Sequence, residues 1–245
     1  MKSGKVSIVI PCYNEERRLE PTLSLSLDWI SARMRAPFEM ILVNDGSTDR
    51  TRDVLERVKK KYSSLAIEIV SYPQNRGKGY AVKTGVLGAQ GEKIAVMDAD
   101  FSVELEEMLK FLEKLDQHDI VIGTKKHAFS QSDKHQKLTR RILGKGFTLL
   151  ANVLLGIHFS DITCGLKAFR ADVAKTIFAR QRMERFSYDA EILFLAKRIS
   201  CNIAELPIKW HHVEGGTVSA LKETARSLKD LAAILFNKYT RKYEK

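Results

Sequence analysis

The feature that most limits the fold of this chain is the alternation of short apolar runs with helical segments over its first half. The apolar runs lie at 6–10, 40–43, 67–71, 94–97 and 120–122. Each run has the length of a strand buried on both faces, and the stretches between the runs carry apolar residues at helical spacing. Repeated strand–helix units predict an α/β fold, in which a mostly parallel sheet is covered by helices on both faces.

Polar segments follow three of these predicted strands, at 11–15, 44–49 and 98–100. Ligands of open α/β sheets bind beyond the carboxyl ends of the strands. We therefore expect the three segments to converge on one cleft.

Asp98 and Asp100 are the sharpest candidates in that cleft. Placing two carboxylates after a buried strand costs free energy unless a cation or a hydrogen-bond donor interacts with them. Mg²⁺ or Mn²⁺ is often shared between one or two carboxylates and a substrate diphosphate, whose departure the ion assists. The alternative is a capping turn, in which Asp100 or Ser102 caps the helix that follows.

Two further segments offer groups for a nucleotide. Asp45 either forms an Asx turn with Gly46 or hydrogen-bonds a nucleobase or ribose. Tyr13 offers a ring for stacking, although its segment is also typical of a helix start with Asn14 as the cap. The loop 75–79 lacks the Walker spacing, but its glycines suit a close approach to phosphate.

The alternation stops after Gly123. Residues 125–145 are basic and lack periodicity. The segment 161–170 has the composition of compact turns, and the segment 203–210 predicts an edge strand interrupted by Pro207. A long amphipathic helix is predicted over 219–243. We therefore expect a catalytic domain over 1–218 and a basic amphipathic helix over 219–245, for which membrane association is a hypothesis.

The formal net charge of +11 favours anionic partners. Nucleic acid is the poorest of these candidates, because the basic run 134–145 contains no aromatic residue to stack on a base. No apolar run reaches the roughly 18 residues of a spanning helix, and no signal peptide is recognisable. The three cysteines share no metal or redox spacing. These features predict a cytoplasmic protein, and the charge allows an anionic membrane surface as a partner.

Four strings in order resemble the family 2 glycosyltransferases: VSIVIPCYNEE at 6–16, ILVNDGSTDRT at 41–51, NRGKGYAVKTG at 75–85 and MDADFS at 97–102. The resemblance implies the GT-A fold, a nucleotide-sugar donor and inversion at the anomeric carbon. Three later strings resemble the dolichyl-phosphate β-glucosyltransferases and mannose synthases: DITCGLKAFR at 161–170, RFSYDAEIL at 185–193 and IAELPIKWHHVEGG at 203–216. The implied reaction moves a hexose, glucose before mannose, from a UDP- or GDP-sugar to a polyprenyl (dolichyl) phosphate on the cytoplasmic face of a membrane, which implies a protein peripheral to that membrane.

The resemblance also implies roles for individual residues. The donor would be held by Pro11, Tyr13, Glu15, Val43, Asp45, Asp98 and Ala99, and the metal by Asp100. Lys125 stands where these families commonly have arginine, and Thr217 stands where a phosphate-binding lysine is expected. Lys125, Arg140 and Arg141 are our candidates for the acceptor phosphate, with solvated surface charge as the alternative.

Asp161, Asp189 and Asp98 are the candidate catalytic residues. A phosphate monoester has its second pKa near 6, so its oxygen is already a nucleophile at neutral pH. We therefore expect Asp161 or Asp189 to orient the sugar and the basic side chains. Transfer to a soluble or glycan hydroxyl is the second hypothesis, and it would need Asp189 or Asp161 as a base. Whether a membrane-embedded partner takes part is left open.

Overall fold

The computed structural model of the chain describes residues 4–125, 138–211 and 220–244, with the backbone alone for 138–141 and 220–225. Its strands are β1 (Val6–Cys12), β2 (Phe38–Asp45), β3 (Ala66–Tyr72), β4 (Lys93–Val96), β5 (Ile120–Thr124), β6 (Lys167–Arg170) and β7 (Ile203–Pro207). They form a seven-stranded sheet in the order β3-β2-β1-β4-β6-β5-β7. The pairs β1–β2, β2–β3, β1–β4 and β5–β7 are parallel, as the strand–helix alternation predicts.

The helices are α1 (Leu19–Arg33), α2 (Thr51–Lys61), α3 (Lys78–Gly88), α4 (Leu105–Lys114), α5 (Leu138–Leu155), α6 (Ala171–Arg180), α7 (Tyr188–Arg198) and α8 (Ala220–Tyr239). They cover both faces of the sheet. Alternate residues of β1 point to opposite sides, so Ile8 and Ile10 join the core with α1, α2 and α4, whereas Val9 joins the core with α3 and α5 to α8. The predicted α/β fold is confirmed.

The prediction of compact turns over 161–170 is wrong for its second half. Residues Lys167–Arg170 form β6, which runs antiparallel to both of its neighbours, β4 and β5. The strand has only four residues and begins and ends with a basic residue, so it has no apolar run for a sequence pattern to detect. Its position matters because it places Lys167 in the middle of the sheet.

The stretch 125–145, predicted to lack periodic structure, contains the start of α5 at Leu138, while residues 126–137 lie outside the described part of the chain. The predicted edge strand is confirmed as β7, which ends at Pro207.

The predicted C-terminal helix is confirmed as α8. It packs against α5, and Leu231 and Ile234 are buried in the same core as α3, α6 and α7. The proposed domain boundary at 218/219 falls outside the described residues and stays a prediction. Within the part of the chain that the structure describes, no helix is long and apolar enough to cross a membrane.

Candidate active site

The segments that follow β1 and β2 are tied to each other at the carboxyl edge of the sheet. Asn14 has a left-handed backbone (φ 54°), and its Oδ1 accepts a hydrogen bond from the backbone N–H of Thr48 at 2.8 Å. The backbone N–H of Asn14 donates in turn to Ser47 Oγ at 3.0 Å. The predicted convergence is confirmed here for two of the three segments, 11–15 and 44–49. Asn14 does not cap a helix, since α1 begins at Leu19.

Asp45 organises the loop that leads into α3. Its Oδ1 accepts hydrogen bonds from the Tyr72 hydroxyl (2.8 Å) and the Arg76 N–H (2.9 Å), and its Oδ2 accepts from Asn75 Nδ2 (2.8 Å) and the Gly77 N–H (2.9 Å). Four donors fill the usual acceptor sites of one carboxylate. A nucleobase that binds Asp45 must share these sites, so the predicted contact with the donor stays a prediction.

The turn after β2 is closed by Asn44, and the described hydrogen bonds of Asp45 do not include the Asx turn that was its alternative reading. The side-chain Oδ1 of Asn44 accepts from the backbone N–H of Ser47 at 3.2 Å, and Gly46 has a φ of +61°. The turn therefore leaves the Asp45 carboxylate to the loop 75–77.

Lys78 and Asp98 form the central ion pair of the site. Lys78 is the first residue of α3, and its Nζ lies 2.5 Å from Asp98 Oδ1. Burial opposes ionisation of Asp98, but the charges of Lys78, Lys125 and Lys167 outweigh it and lower the pKa of the carboxyl group. Asp98 therefore stays ionised at neutral pH. From the sequence, the loop 75–79 was expected to approach a phosphate. The ion pair between Lys78 and Asp98 was not predicted.

The segment that precedes β6 presses on Asp98. A Cβ atom added to Gly165 would lie 2.1 Å from Asp98 Oδ2, far inside any real contact. Only glycine leaves room for the carboxylate at this position. The loop 161–166 thus forms one wall of the site.

Asp100 is half-buried, and its Oδ1 accepts the backbone N–H of Ser102 at 3.0 Å. This bond closes a turn, but it does not cap α4, which begins at Leu105 after an N-cap residue, Glu104, without a side-chain cap. The other carboxylate oxygen remains available among the described contacts. The described residues contain no cluster of three or more His, Cys, Asp or Glu able to hold a metal, so an ion here would depend on a substrate for further ligands.

Arg18, which sequence reasoning did not single out, lies close to these carboxylates. Its guanidinium is bonded to Glu15, with Nη2 2.7 Å from Oε1, and the charges of Glu15, Asp100 and Asp98 all raise its pKa. Glu15, which was predicted to bind the nucleotide-sugar donor, is therefore already paired with Arg18. A ligand at this position would meet both side chains of the ion pair.

Lys167 and Asp189 form a second, buried ion pair. Their side chains are 2% and 6% exposed, and Lys167 Nζ lies 2.6 Å from Asp189 Oδ1. Lys167 Nζ also donates to the carbonyl oxygen of Cys164 at 2.6 Å. Asp189 is thus held below the surface of the site, where its carboxylate positions a lysine. The sequence signal for Lys167 was missed together with β6.

Asp161 arranges the loop next to Lys125. Its Oδ1 accepts the backbone N–H and the hydroxyl of Thr163, both at 3.0 Å, and its Oδ2 accepts the Lys125 N–H at 3.2 Å. Lys125 Nζ lies 4.5 Å from the centroid of the Trp210 ring. A cation over an aromatic face is favourably placed, and the ring fixes where the ammonium group points.

The remaining predicted residues differ in how they can meet a ligand. Pro11 pairs with Val43 across β1 and β2, and the Val43 side chain is fully buried, which leaves its backbone for a ligand. Ala99 is also buried, whereas the ring of Tyr13 is 39% exposed and free to stack. The side chains of Arg140 and Arg141 lie outside the described residues. Their roles stay predictions.

The family assignment rests on a match to the model described as Glycosyl transferase family 2, which covers residues 7–178. The chain belongs to glycosyl transferase family 2. The matched range begins within β1, extends past β6, and contains the carboxylates Asp45, Asp98, Asp100 and Asp161. The resemblance that the sequence motifs indicated is confirmed.

Curated relatives of this family 2 member match over most of its length. A protein of Trichomonas vaginalis named dolichyl-phosphate beta-glucosyltransferase is 34% identical over 221 residues, which is 86% of this chain and 67% of that protein. The human protein of the same name is 31% identical over 241 residues, which is 94% of this chain and 74% of its own.

Solved structures support the fold. Glucosyl-3-phosphoglycerate synthase from Mycobacterium tuberculosis, solved with UDP, superposes with a TM-score of 0.67 over 95% of this chain and 80% of that one, at 16% identity. The same synthase, solved with Mn²⁺, UDP and glucosyl-3-phosphoglycerate, gives a TM-score of 0.65 at 18% identity and covers 96% of this chain and 79% of that one. At such identities the likeness shows the fold alone, and the predicted GT-A arrangement is confirmed.

Proposed function

We propose that this chain transfers glucose from UDP-glucose to a polyprenyl (dolichyl) phosphate. The observation that carries the proposal is the shared name of the curated relatives, dolichyl-phosphate beta-glucosyltransferase, at 30% to 35% identity over most of the chain. UDP is preferred to GDP because the similar synthase was solved with UDP. Mannose and GDP remain the second choices.

Asp100 would hold a divalent cation, Mg²⁺ or Mn²⁺. The fit rests on its donor set, since one carboxylate oxygen is engaged with the Ser102 N–H and the other is available. One carboxylate with the donor diphosphate and water is a usual set for such hard cations. When bound, the cation would neutralise charge that develops on the departing nucleoside diphosphate.

The residues around the cation would hold the donor by charge. Lys78 would balance the diphosphate from the side of Asp98, and Tyr13 and the Asp45 loop would enclose the nucleoside. In transfer, an oxygen of the acceptor phosphate forms a bond to the anomeric carbon while the bond from that carbon to the diphosphate oxygen breaks, with inversion. No proton has to be removed, because the phosphate oxygen is already ionised.

The pairing of the aspartates supports this proton-free reaction. Asp98 has a lowered pKa beside Lys78 and is therefore a poor proton acceptor near neutral pH, while Asp189 is buried and already engaged with Lys167. Lys125, held beside Asp161 and Trp210, would bind the acceptor phosphate, together with Arg140 and Arg141.

We further propose that the outer faces of α5 and α8 dock on an anionic membrane. These neighbouring helices expose large apolar side chains: Leu149 at 67%, Val153 at 71%, Phe236 at 59% and Tyr239 at 78%. Basic residues accompany them, namely Lys145, Lys229, Lys238, Arg241 and Lys242. Apolar side chains beside positive charge suit the interface of a bilayer with acidic lipids. This would place the protein peripherally on a cytoplasmic membrane face.

Transfer of label into an organic phase tests the reaction. We expect label from UDP-glucose to become extractable only with polyprenyl phosphate and a divalent cation, and GDP-mannose to serve poorly. Asp100→Asn should cut turnover by about 10² or more, in line with the loss of one group that stabilises transition-state charge. Asp53→Asn, at an exposed aspartate of α2, is the matched control. Full turnover in EDTA, or label that stays in the aqueous phase, would contradict the proposal.

Vesicle co-sedimentation tests the docking surface. Replacing Lys238, Arg241 and Lys242 with glutamine should weaken binding to anionic vesicles by removing roughly 1 kcal/mol per charge. Replacing the exposed lysines Lys59, Lys60 and Lys61 of α2 removes the same charge elsewhere and should change binding little. Equal losses in the two triple variants would indicate attraction by net charge and refute a specific surface.

A further inference from the structure

The chain turns back after α8 and buries a tyrosine in the core. Tyr243 is 4% exposed, and its ring lies 5.9 Å from that of Phe194 at 61°. Its hydroxyl donates to Glu191 Oε1 at 2.6 Å. A buried hydrogen bond to a charged acceptor is among the stronger ones in proteins, so the C-terminal end is fixed to α7 here.

Glu191 is fully buried and bridges the tyrosine to a second segment. Its Oε2 accepts the backbone N–H groups of Arg182 at 3.0 Å and Met183 at 2.7 Å. Burial raises the pKa of Glu191, while the Tyr243 hydroxyl and these two N–H groups act in the opposite direction. The guanidinium of Arg182 also donates to the carbonyl oxygen of Lys242 at 2.8 Å. The C-terminal end and the segment 181–184 are therefore joined twice.

That segment lies against the start of α3, which carries Lys78. Gln181 Nε2 donates to the carbonyl oxygen of Gly79 at 2.9 Å, and the Tyr80 N–H donates to the carbonyl oxygen of Glu184 at 2.9 Å. A Cβ atom on Gly79 would lie 2.7 Å from the Met183 carbonyl oxygen, so the two backbones are in close contact. The position of the segment sets the position of the first turn of α3.

We propose that Tyr243 and Glu191 are positioning residues for the nucleotide-sugar site. Through the segment 181–184 they hold the first turn of α3, and this turn directs the Lys78 ammonium group to Asp98. Tyr243 and Glu191 do not contact the substrate. They affect the affinity for the nucleotide sugar through the position of Lys78. This inference rests on the proposed function, in which Lys78 faces the donor diphosphate.

The test separates the hydroxyl and the carboxylate from their packing. Tyr243→Phe keeps the ring and removes the hydrogen bond, and we expect it to raise the donor KM and the Kd for UDP roughly ten-fold, because the first turn of α3 is then held in its binding arrangement for a smaller fraction of the time. The acceptor KM and kcat should change less than about two-fold, since the pair acts on the donor side alone. Glu191→Ala should reproduce the loss.

Two further variants make the result specific. Glu191→Gln should rescue, because the amide oxygen can accept both backbone N–H groups while its NH₂ group donates to the Tyr243 hydroxyl. Tyr62→Phe removes another tyrosine-to-carboxylate bond, from the Tyr62 hydroxyl to Asp28 Oδ1 at 2.9 Å between α2 and α1, and should leave UDP affinity unchanged.

Calorimetric titration with UDP and thermal melting complete the design. An unchanged UDP affinity in a Tyr243→Phe variant that melts at a lower temperature would reduce the pair to a stabilising contact and overturn the inference. A Glu191→Gln variant as weak as Glu191→Ala would overturn it as well. Failure of the wild-type chain to bind UDP would instead count against the proposed function.

Discussion

A single methyl group at Gly165 tests the geometry of the site without changing any charge. The Cβ of Gly165→Ala would lie 2.1 Å from Asp98 Oδ2, whereas real Cβ atoms essentially never approach a heavy atom closer than 3.0 Å. The carboxylate must therefore move by about 0.9 Å, the difference between these two distances, or the loop must move by as much. Asp98 Oδ1 is bound to Lys78 at 2.5 Å, so the lysine has to follow or lose its partner.

The expected loss follows from that displacement. Misplacing a reacting or binding group by about 1 Å can cost about 10²-fold in rate, which is about 2.7 kcal/mol. We therefore expect kcat/KM for UDP-glucose to fall by about 10² in Gly165→Ala. The fold should persist, because the added methyl displaces a carboxylate that is 33% exposed and not a core side chain.

The measurement is label transfer to polyprenyl phosphate, with circular dichroism melting to verify folding. Gly88→Ala is the matched control, because it adds the same methyl at the last residue of α3, where nothing lies within 4 Å. A folded Gly165→Ala variant with kcat/KM within about three-fold of wild type, well under the 10² expected of a 1 Å shift, would refute the argument that the placement of Asp98 limits catalysis.

Three further predictions concern the same site. Lys125→Ala should raise the KM for polyprenyl phosphate with UDP affinity nearly unchanged, and a fall in UDP affinity would assign Lys125 to the donor. Asp45→Asn should lower both the melting temperature and the UDP affinity, because one amide oxygen cannot serve four donors and each buried donor left unpaired costs about 1–3 kcal/mol; unchanged melting would contradict this. The ion pair of Lys78 and Asp98 should stabilise the fold fully at pH values between 3.8 and 10.5, the ordinary pKa values of the two groups. Its contribution should decrease as the pH falls through the lowered pKa of Asp98, and also as the pH rises through the raised pKa of Lys78. The coupling energy from a double-mutant cycle of Lys78→Met and Asp98→Asn, measured by unfolding at several pH values, should follow that window.

The fold could be predicted from the sequence where local periodicity carries the information. The apolar runs of β1, β2 and β4 and the helical spacing between them follow from burial on both faces of a sheet, and the structure confirms them. The segment 167–170 carries no such signal, because its strand status depends on pairing with β4 and β5. Tertiary context of this kind is invisible in a four-residue window.

In the candidate site, too, local sequence predicts some features, while others depend on tertiary contacts. Asp98 and Asp100 were predictable because a strand end places them, and Asp45 because a turn follows β2. Their partners were not predictable, since Lys78 meets Asp98 and Lys167 meets Asp189 only after the sheet has formed. Sequence patterns therefore identified carboxylates by position, while the lysine charges that lower the pKa of Asp98 come from distant segments.

The way in which these carboxylates are paired bears on the acceptor. Asp98 is paired with Lys78, Asp189 with Lys167, and Asp161 accepts hydrogen bonds from Thr163 and from the backbone of Lys125. Paired carboxylates repel an incoming diphosphate less than free ones, and the lowered pKa of Asp98 also makes this group a poor proton acceptor. A hydroxyl acceptor needs an accessible base, whereas Asp189 and Asp161 are each only 4% exposed, Asp189 is paired with Lys167, and both oxygens of Asp161 accept hydrogen bonds. A phosphate acceptor brings its own ionised oxygen and needs only a cation such as Lys125 to hold it. The pairing therefore favours a phosphate over a hydroxyl as the nucleophile in this site.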